Sequence, residues 1–116
     1  MGSITCIILT KNEEKNLPSA LQNAASWADE ILVVDSGSDD GTVEIAKKSG
    51  ASVIYRAWDG DFAAQRNFAL TGAHGDWVLY LDADERLTAG AIQKVLAIKK
   101  GAPNHHYSFR RENIAF

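Results

Sequence analysis

The stretch Trp77-Val78-Leu79-Tyr80-Leu81-Asp82-Ala83-Asp84-Glu85 runs large apolar residues directly into a cluster of carboxylates. The apolar run reads as a strand buried on both faces, as inside an α/β sheet. Open α/β sheets take their ligands just outside the carboxyl ends of their strands. Residues two apart in an extended chain point the same way, so Asp82 and Asp84 aim at one point beyond the sheet. Carboxylates held that close repel, and one of them tends to take up a proton. A divalent cation removes the conflict. Mg²⁺ and Mn²⁺ prefer oxygen ligands, and Mg²⁺ is usually held by one or two carboxylates plus the phosphates of a substrate. The competing reading is that Asp84 or Glu85 caps the next helix, a common role for an acid after a strand.

The segments before this strand repeat its logic. Ile4 to Thr10 is β-branched and apolar and predicts a first strand, followed by the polar loop Lys11-Asn12-Glu13-Glu14. A helix is expected from Leu17 to Ala28, with Pro18 tolerated in its first turn. Glu30 to Asp35 predicts a second strand that ends in Ser36-Gly37-Ser38-Asp39-Asp40-Gly41-Thr42, a run of turn formers. A helix over Thr42 to Ser49 stops at Gly50, which suits the left-handed position after a helix end. Asp39 and Asp40 are the expected caps of that helix. Ala51 to Tyr55 is a short third strand. Asp61 opens a third helix reaching Ala73, and Gly75-Asp76 turns the chain into the central strand. Thr88 is the expected cap of a helix over Ala89 to Lys100, and His106 to Arg111 reads as a fifth strand. Strand and helix in alternation predict an α/β fold: a Rossmann-like, mostly parallel sheet with helices on both faces and right-handed crossovers.

Composition narrows the function classes. The chain has 116 residues, 46% hydrophobic and 23% charged, with a net charge of −3. That is the profile of one compact domain, 1–116, and no basic surface argues for nucleic acid. The single cysteine, Cys6, lies in an apolar strand and fits a reducing, cytoplasmic setting. Met1-Gly2-Ser3-Ile4 does not read as a signal peptide, and no apolar run approaches the roughly 20 residues that span a bilayer. The final ten residues carry strand-like and turn-like types to the last position, so the chain reads as part of a larger protein.

Polar or acidic groups follow three strands, at Thr10 to Glu13, Asp35 to Asp40, and Asp82 to Glu85. In a parallel sheet these ends share one edge, so distant segments build one acidic crevice. Neither the glycine-rich dinucleotide fingerprint nor a Gly-Lys-Ser/Thr phosphate loop is present, and a metal on Asp82 and Asp84 is the alternative way to hold phosphate. Arg66 falls on the helical stripe of Phe62, Ala69, Leu70 and Ala73. An arginine on a buried stripe needs an anion: an internal partner such as Asp59, Asp61 or Asp82, or a phosphate gripped by its fork. Asp35 either hydrogen-bonds a ligand or orients its own loop. Trp27 reads as core edge and Trp58 as a pocket wall.

Taken together these motifs resemble the inverting, nucleotide-sugar-dependent glycosyltransferases of family 2, which have the GT-A fold. Thr10-Lys11-Asn12-Glu13-Glu14 is similar to the family's opening nucleotide loop, and Val33 to Thr42 to its second loop. Gln65-Arg66-Asn67 is similar to its helix signature, and Leu81-Asp82-Ala83-Asp84-Glu85 to its Asp-x-Asp metal motif. The resemblance implies that Thr10, Asn12 and Glu13 surround the base and ribose, with Asp35 near the base and Arg66 on the nucleotide. It implies that Asp82 contacts ribose or metal and that Asp84 is the principal ligand of Mg²⁺ or Mn²⁺. Ser36 departs from a second aspartate common in the family and resembles the bacterial subgroup that glucosylates lipopolysaccharide core. The implied donor is a nucleotide-diphosphate sugar, uridine diphosphate being the default carrier, and the implied acceptor is a saccharide or lipid-linked hydroxyl, with location at the inner face of the membrane. Members are about twice this length and draw their general base from the second half, so here the base is expected beyond Phe116. The chain then reads as the nucleotide-binding half, with an apolar surface prone to self-association. A sugar nucleotidyltransferase, a metal-dependent phosphatase with Asp82 as nucleophile, and a non-catalytic binding module are the competing classes.

Overall fold

The structure is a computed structural model that describes residues 2–101 and 108–109. Its strands are β1 (Ile4–Thr10), β2 (Glu30–Asp35), β3 (Ser52–Tyr55), β4 (Trp77–Asp82) and β5 (Ser108–Phe109). Its helices are α1 (Leu17–Ala25), α2 (Thr42–Lys48), α3 (Phe62–Thr71) and α4 (Ala89–Gly101). The sheet order is β3-β2-β1-β4-β5, and each pairing is parallel. The chain therefore walks outward from β1 to β3 and then jumps back to place β4 on the other side of β1. That reversal is the switch point at which α/β sheets open a ligand crevice.

Strand alternation separates two cores. Ile4, Cys6 and Ile8 of β1, Val33 of β2, and Trp77, Leu79 and Leu81 of β4 pack with α1, α2 and α4. Ile7, Leu32, Val34 and Val78 point the other way, where Ala69 of α3 meets them. Helices thus cover both faces, as the alternation of strand and helix predicts. Burial pushes the Cys6 thiol far up, which leaves it a small apolar side chain.

The ends of the elements follow local chemistry. Gly50 has φ +92°; its N–H bonds Lys47 O while Ala51 N–H bonds Ala46 O, a Schellman stop for α2. Asp61 accepts Ala64 N–H at 3.0 Å to start α3, and Thr88 accepts Ala91 N–H at 3.1 Å to start α4. Since Thr88 caps α4, neither Asp84 nor Glu85 is needed there. Gly75 is a close approach: a Cβ on it would lie 2.7 Å from Thr5 N.

Several expectations shift, among them the ends of α2 and α3, which stop at Lys48 and Thr71 rather than Ser49 and Ala73. The first helix ends at Ala25 rather than Ala28. Ser26 Oγ bonds Asn23 O, the last turn tightens onto Ala24 O, and Trp27 folds into the core at 2% exposure. Asp29 is thereby delivered to Ile4 N–H at 2.8 Å. Asp40 does bond Thr42 N–H at the start of α2, but Asp39 does not cap it: its N–H instead donates to Asn12 Oδ1. The third strand begins at Ser52, and the fifth is described only at Ser108–Phe109; the rest of the span 106–111 lies outside the described residues. Finally, Arg66 is exposed, and the stripe that α3 buries is Gln65 and Ala69. The helix approaches the sheet closely enough that a Cβ on Gly72 would sit 3.3 Å from Leu32 Cδ2. Small residues permit that approach, and so they, rather than Phe62 and Leu70, set the buried face.

Candidate functional site

Register brings the polar strand ends together. Thr10 pairs with Asp35 across β1 and β2, and Leu9 pairs with Asp82 across β1 and β4. The loop after β1 and the loop after β2 are then laced to each other. Lys11 Nζ donates to Gly37 O at 2.9 Å and Asn12 N–H to Ser38 Oγ at 2.8 Å. Asp39 N–H donates to Asn12 Oδ1 at 2.7 Å and Glu13 N–H to Thr42 Oγ1 at 2.9 Å. Gly41 N–H donates to Glu14 Oε2 at 3.1 Å. Asn12 holds φ +55° in this arrangement, a left-handed conformation that asparagine tolerates better than most side chains.

Asp35 is the anchor of the lacing. It is 3% exposed, and its Oδ1 accepts Thr10 Oγ1–H at 2.7 Å and Ser38 Oγ–H at 2.6 Å. Its Oδ2 accepts the N–H groups of Gly37 at 3.0 Å and Ser38 at 2.8 Å. Burial pushes this carboxyl up, but the donors of Ser38, Thr10 and Gly37 outweigh it and hold it below the ordinary carboxylate range. Its oxygens are thus engaged in ordering the loop.

A cleft of about 520 Å³ opens at this edge. Thr10, Lys11 and Glu13 form one wall, Asp82 closes the β4 side, and Ser36, Gln65, Ala57, Trp58 and Phe62 complete it. Trp58 is thus a pocket wall; it meets Phe62 edge-on at a centroid distance of 4.6 Å. Of the nucleotide- and metal-binding residues expected from the sequence, the cleft collects Thr10, Glu13 and Asp82. Asn12 stands beside it, exposed, with its amide oxygen used in the lacing. Asp84 is exposed on the turn after β4, outside the cleft lining. Arg66 is exposed on α3 with its guanidinium carbon 5.5 Å from the Tyr80 ring centroid, a cation–π contact. Asp59 is paired with Arg56 at 2.8 Å rather than with Arg66.

Gln65 is the site residue whose role the sequence reading did not assign. It is 1% exposed; its Nε2 donates to Ser36 Oγ at 2.9 Å and its Oε1 accepts from Arg56 Nη1 at 2.8 Å. It joins the second loop to the segment carrying Trp58. The signal available was spacing: Gln65, Ala69 and Gly72 share a stripe of small and neutral residues.

The turn after β4 is closed by its own groups. Glu85 N–H donates to Asp82 O at 2.9 Å, and Asp82 N–H donates to Glu85 Oε1 at 2.8 Å. Asp82 and Asp84 are both exposed residues at its rim. Among the described residues no group of three or more His, Cys, Asp or Glu side chains could hold a metal. The donor set fits a hard cation that takes one or two carboxylates and completes its shell with substrate phosphates and water. It does not fit a closed structural metal site.

The family model described as glycosyl transferase family 2 matches residues 5–113. An uncharacterized glycosyltransferase of Rickettsia typhi is 44% identical over 88 residues, 76% of this chain and 30% of that protein. Glucosyl-3-phosphoglycerate synthase from Mycobacterium tuberculosis, solved with uridine diphosphate, superposes with a TM-score of 0.62 at 27% identity, over 72% of this chain and 34% of that one. The mannosyltransferase PcManGT from Pyrobaculum calidifontis, solved with GDP-Man and Mn²⁺, gives a TM-score of 0.72 at 25% identity, over 88% and 33% of the two chains. The chain spans between 22% and 31% of the length of the curated relatives it matches. The strand order, the cleft at the switch point and these matches lead to one assignment: this chain belongs to glycosyltransferase family 2.

Proposed function

We propose that this chain binds a uridine-diphosphate sugar in the cleft between the ends of β1 and β4, as the nucleotide-binding part of an inverting, metal-assisted transferase. The observation that carries the reading is the meeting of Thr10, Lys11 and Glu13 with Asp82 in one cleft at the point where strand order reverses. Thr10, Asn12 and Glu13 are assigned to the base and ribose end. Asp35 acts there by holding Thr10 and the second loop in place. Arg66 is assigned to the nucleotide from the exposed rim, and Asp82 and Asp84 to the metal. A Mg²⁺ or Mn²⁺ ion, when bound, stabilises the charge of the departing diphosphate. The neighbours bound to uridine diphosphate and to GDP-Man with Mn²⁺ support a nucleotide diphosphate and a divalent cation.

The general base and the acceptor site are assigned to residues beyond Phe116. The small share of its relatives' length that this chain spans supports that division. A role in lipopolysaccharide or other envelope synthesis is the reading supported by Ser36; a saccharide or lipid-linked acceptor, and with it a place at the inner face of the membrane, rests on the family resemblance alone. No helix among the described residues is long and apolar enough to cross a membrane. Self-association is favoured by Tyr55 and Phe62, each 62% exposed. Titration calorimetry with uridine and guanosine diphosphates in Mn²⁺ tests the base assignment. Uridine diphosphate is expected to bind at least about tenfold tighter, a difference of roughly 1.4 kcal/mol. Equal or reversed affinities would sink the uridine assignment. Steady sugar transfer by these 116 residues alone would sink the division of labour.

A further inference from the structure

The turn that carries Asp82 and Asp84 needs a rigid support, because a metal ligand displaced by an ångström no longer meets the phosphates. Its interior is fixed by Ala83 and Leu87, 2% and 4% exposed. Glu85 Oε1 accepts Asp82 N–H at 2.8 Å, and Asn23 of α1 holds Leu87 by its N–H at 3.0 Å and its carbonyl at 3.1 Å; Arg86 adds the link to the loop after β1. Arg86 Nη1 donates to Ala83 O at 2.7 Å and to Glu85 O at 2.5 Å. The same guanidinium reaches α1, where Nε donates to Ser19 Oγ at 2.8 Å and Nη2 to Asn16 O at 2.7 Å. Asn16 in turn anchors the loop after β1: its N–H bonds Glu13 O at 3.1 Å and its side-chain amide bonds Glu13 Oε1 at 3.0 Å. Glu13 lines the cleft opposite Asp82.

From this connection we infer that Arg86 is a positioning residue for the metal: it fixes the turn bearing Asp82 and Asp84 relative to the nucleotide loop across the cleft. The inference rests on the metal reading of Asp82 and Asp84. Its chemistry calls for a guanidinium. The acceptors lie on two elements in the directions of a planar fork, whereas lysine offers one compact head group on a flexible stem. Lysine preserves the positive charge beside the acidic turn, so Arg86→Lys separates charge from geometry.

The test is calorimetric titration of uridine diphosphate into the chain, once with Mn²⁺ and once with chelator. The ratio of the two affinities measures how strongly metal and nucleotide are coupled. In Arg86→Lys the ratio is expected to fall about tenfold, as for other groups that orient metal ligands, while affinity in chelator falls by a much smaller factor. Ser19→Ala, which removes one contact and spares the core, is expected to lower the ratio in the same direction by a smaller factor, and it keeps the test decisive if Arg86→Lys does not fold. A role confined to holding the fold would lower thermal stability or both affinities together and leave the ratio intact, which would overturn the inference. An unchanged ratio in both variants, against a wild-type chain that shows coupling, overturns the positioning role alone. A wild-type chain with no coupling overturns the metal reading and this inference with it.

Discussion

Asp35→Ala is expected to lower the unfolding free energy by about 3–4 kcal/mol and to abolish nucleotide binding. Hydrogen bonds to a charged group are the stronger kind, and this carboxylate accepts from two hydroxyls and two backbone N–H groups. Alanine leaves those donors beside a cavity, where Thr10, itself 3% exposed, cannot turn to water. Asp35→Asn is no rescue, because one side of an amide would present N–H groups to existing donors. A domain of this kind is stable by roughly 5–15 kcal/mol, so the loss is a large share of the total. The same residue gives a pH signature. Its folded carboxyl is held below the ordinary range, so its stabilisation is complete above the unfolded value of about 3.9 and fades as pH falls through the folded value. Asp29 and Glu30 are shifted the same way, so the wild-type chain is acid-labile. Asp35→Ala should lose stability less steeply between about pH 5 and pH 3. Urea midpoints across that window measure both effects; a wild-type midpoint retained by Asp35→Ala at neutral pH would contradict the anchoring role.

The second large effect lies in the acidic turn. In Mn²⁺, Asp84→Ala and Asp82→Ala are each expected to weaken uridine diphosphate binding by about a hundredfold, as expected when a metal held by one or two carboxylates loses a ligand. Both side chains are exposed, so thermal stability should stay within about 0.5 kcal/mol of wild type. In chelator the Asp84→Ala variant should match the wild type, because that carboxylate lies outside the cleft lining, while Asp82→Ala should retain a small deficit. Equilibrium dialysis of labelled nucleotide separates these outcomes. Undiminished affinity of Asp84→Ala in Mn²⁺ would remove that residue from the metal site.

Much of this arrangement is legible in the residues. The apolar run into Asp82, the alternation of strand and helix, and the stops and caps at Gly50, Asp61 and Thr88 are local signals, and each acts locally in the structure. The collection of polar groups at one sheet edge follows from parallel pairing. Sequence spacing did not reveal that β4 lies beside β1, because strand order depends on non-local contacts. That neighbour relation is what sets Thr10 and Glu13 across from Asp82. The face of α3 was misleading for a physical reason. Phe62 and Leu70 make the Arg66 stripe look apolar, yet close packing on the sheet selects Ala69 and Gly72 and turns Gln65 inward. The role of Asp35 stayed open in the sequence because its partners, Thr10 and the Ser38 backbone, are met only once β1 and β2 are in register. Arg86 gave no local signal either, since two of its four partners lie 67 and 70 residues away.

The central claim is that metal and nucleotide meet between the ends of β1 and β4. Paramagnetic mapping tests it most directly: amide NMR spectra of the chain with uridine diphosphate, recorded with Mg²⁺ and then with trace Mn²⁺. The account predicts that Mn²⁺ broadens the signals of Asp82 to Glu85 and of Thr10 to Glu13, and spares Ser49 and Gly50 beyond the end of α2. Broadening centred elsewhere, or a pattern at the acidic turn that is the same without nucleotide, would contradict it.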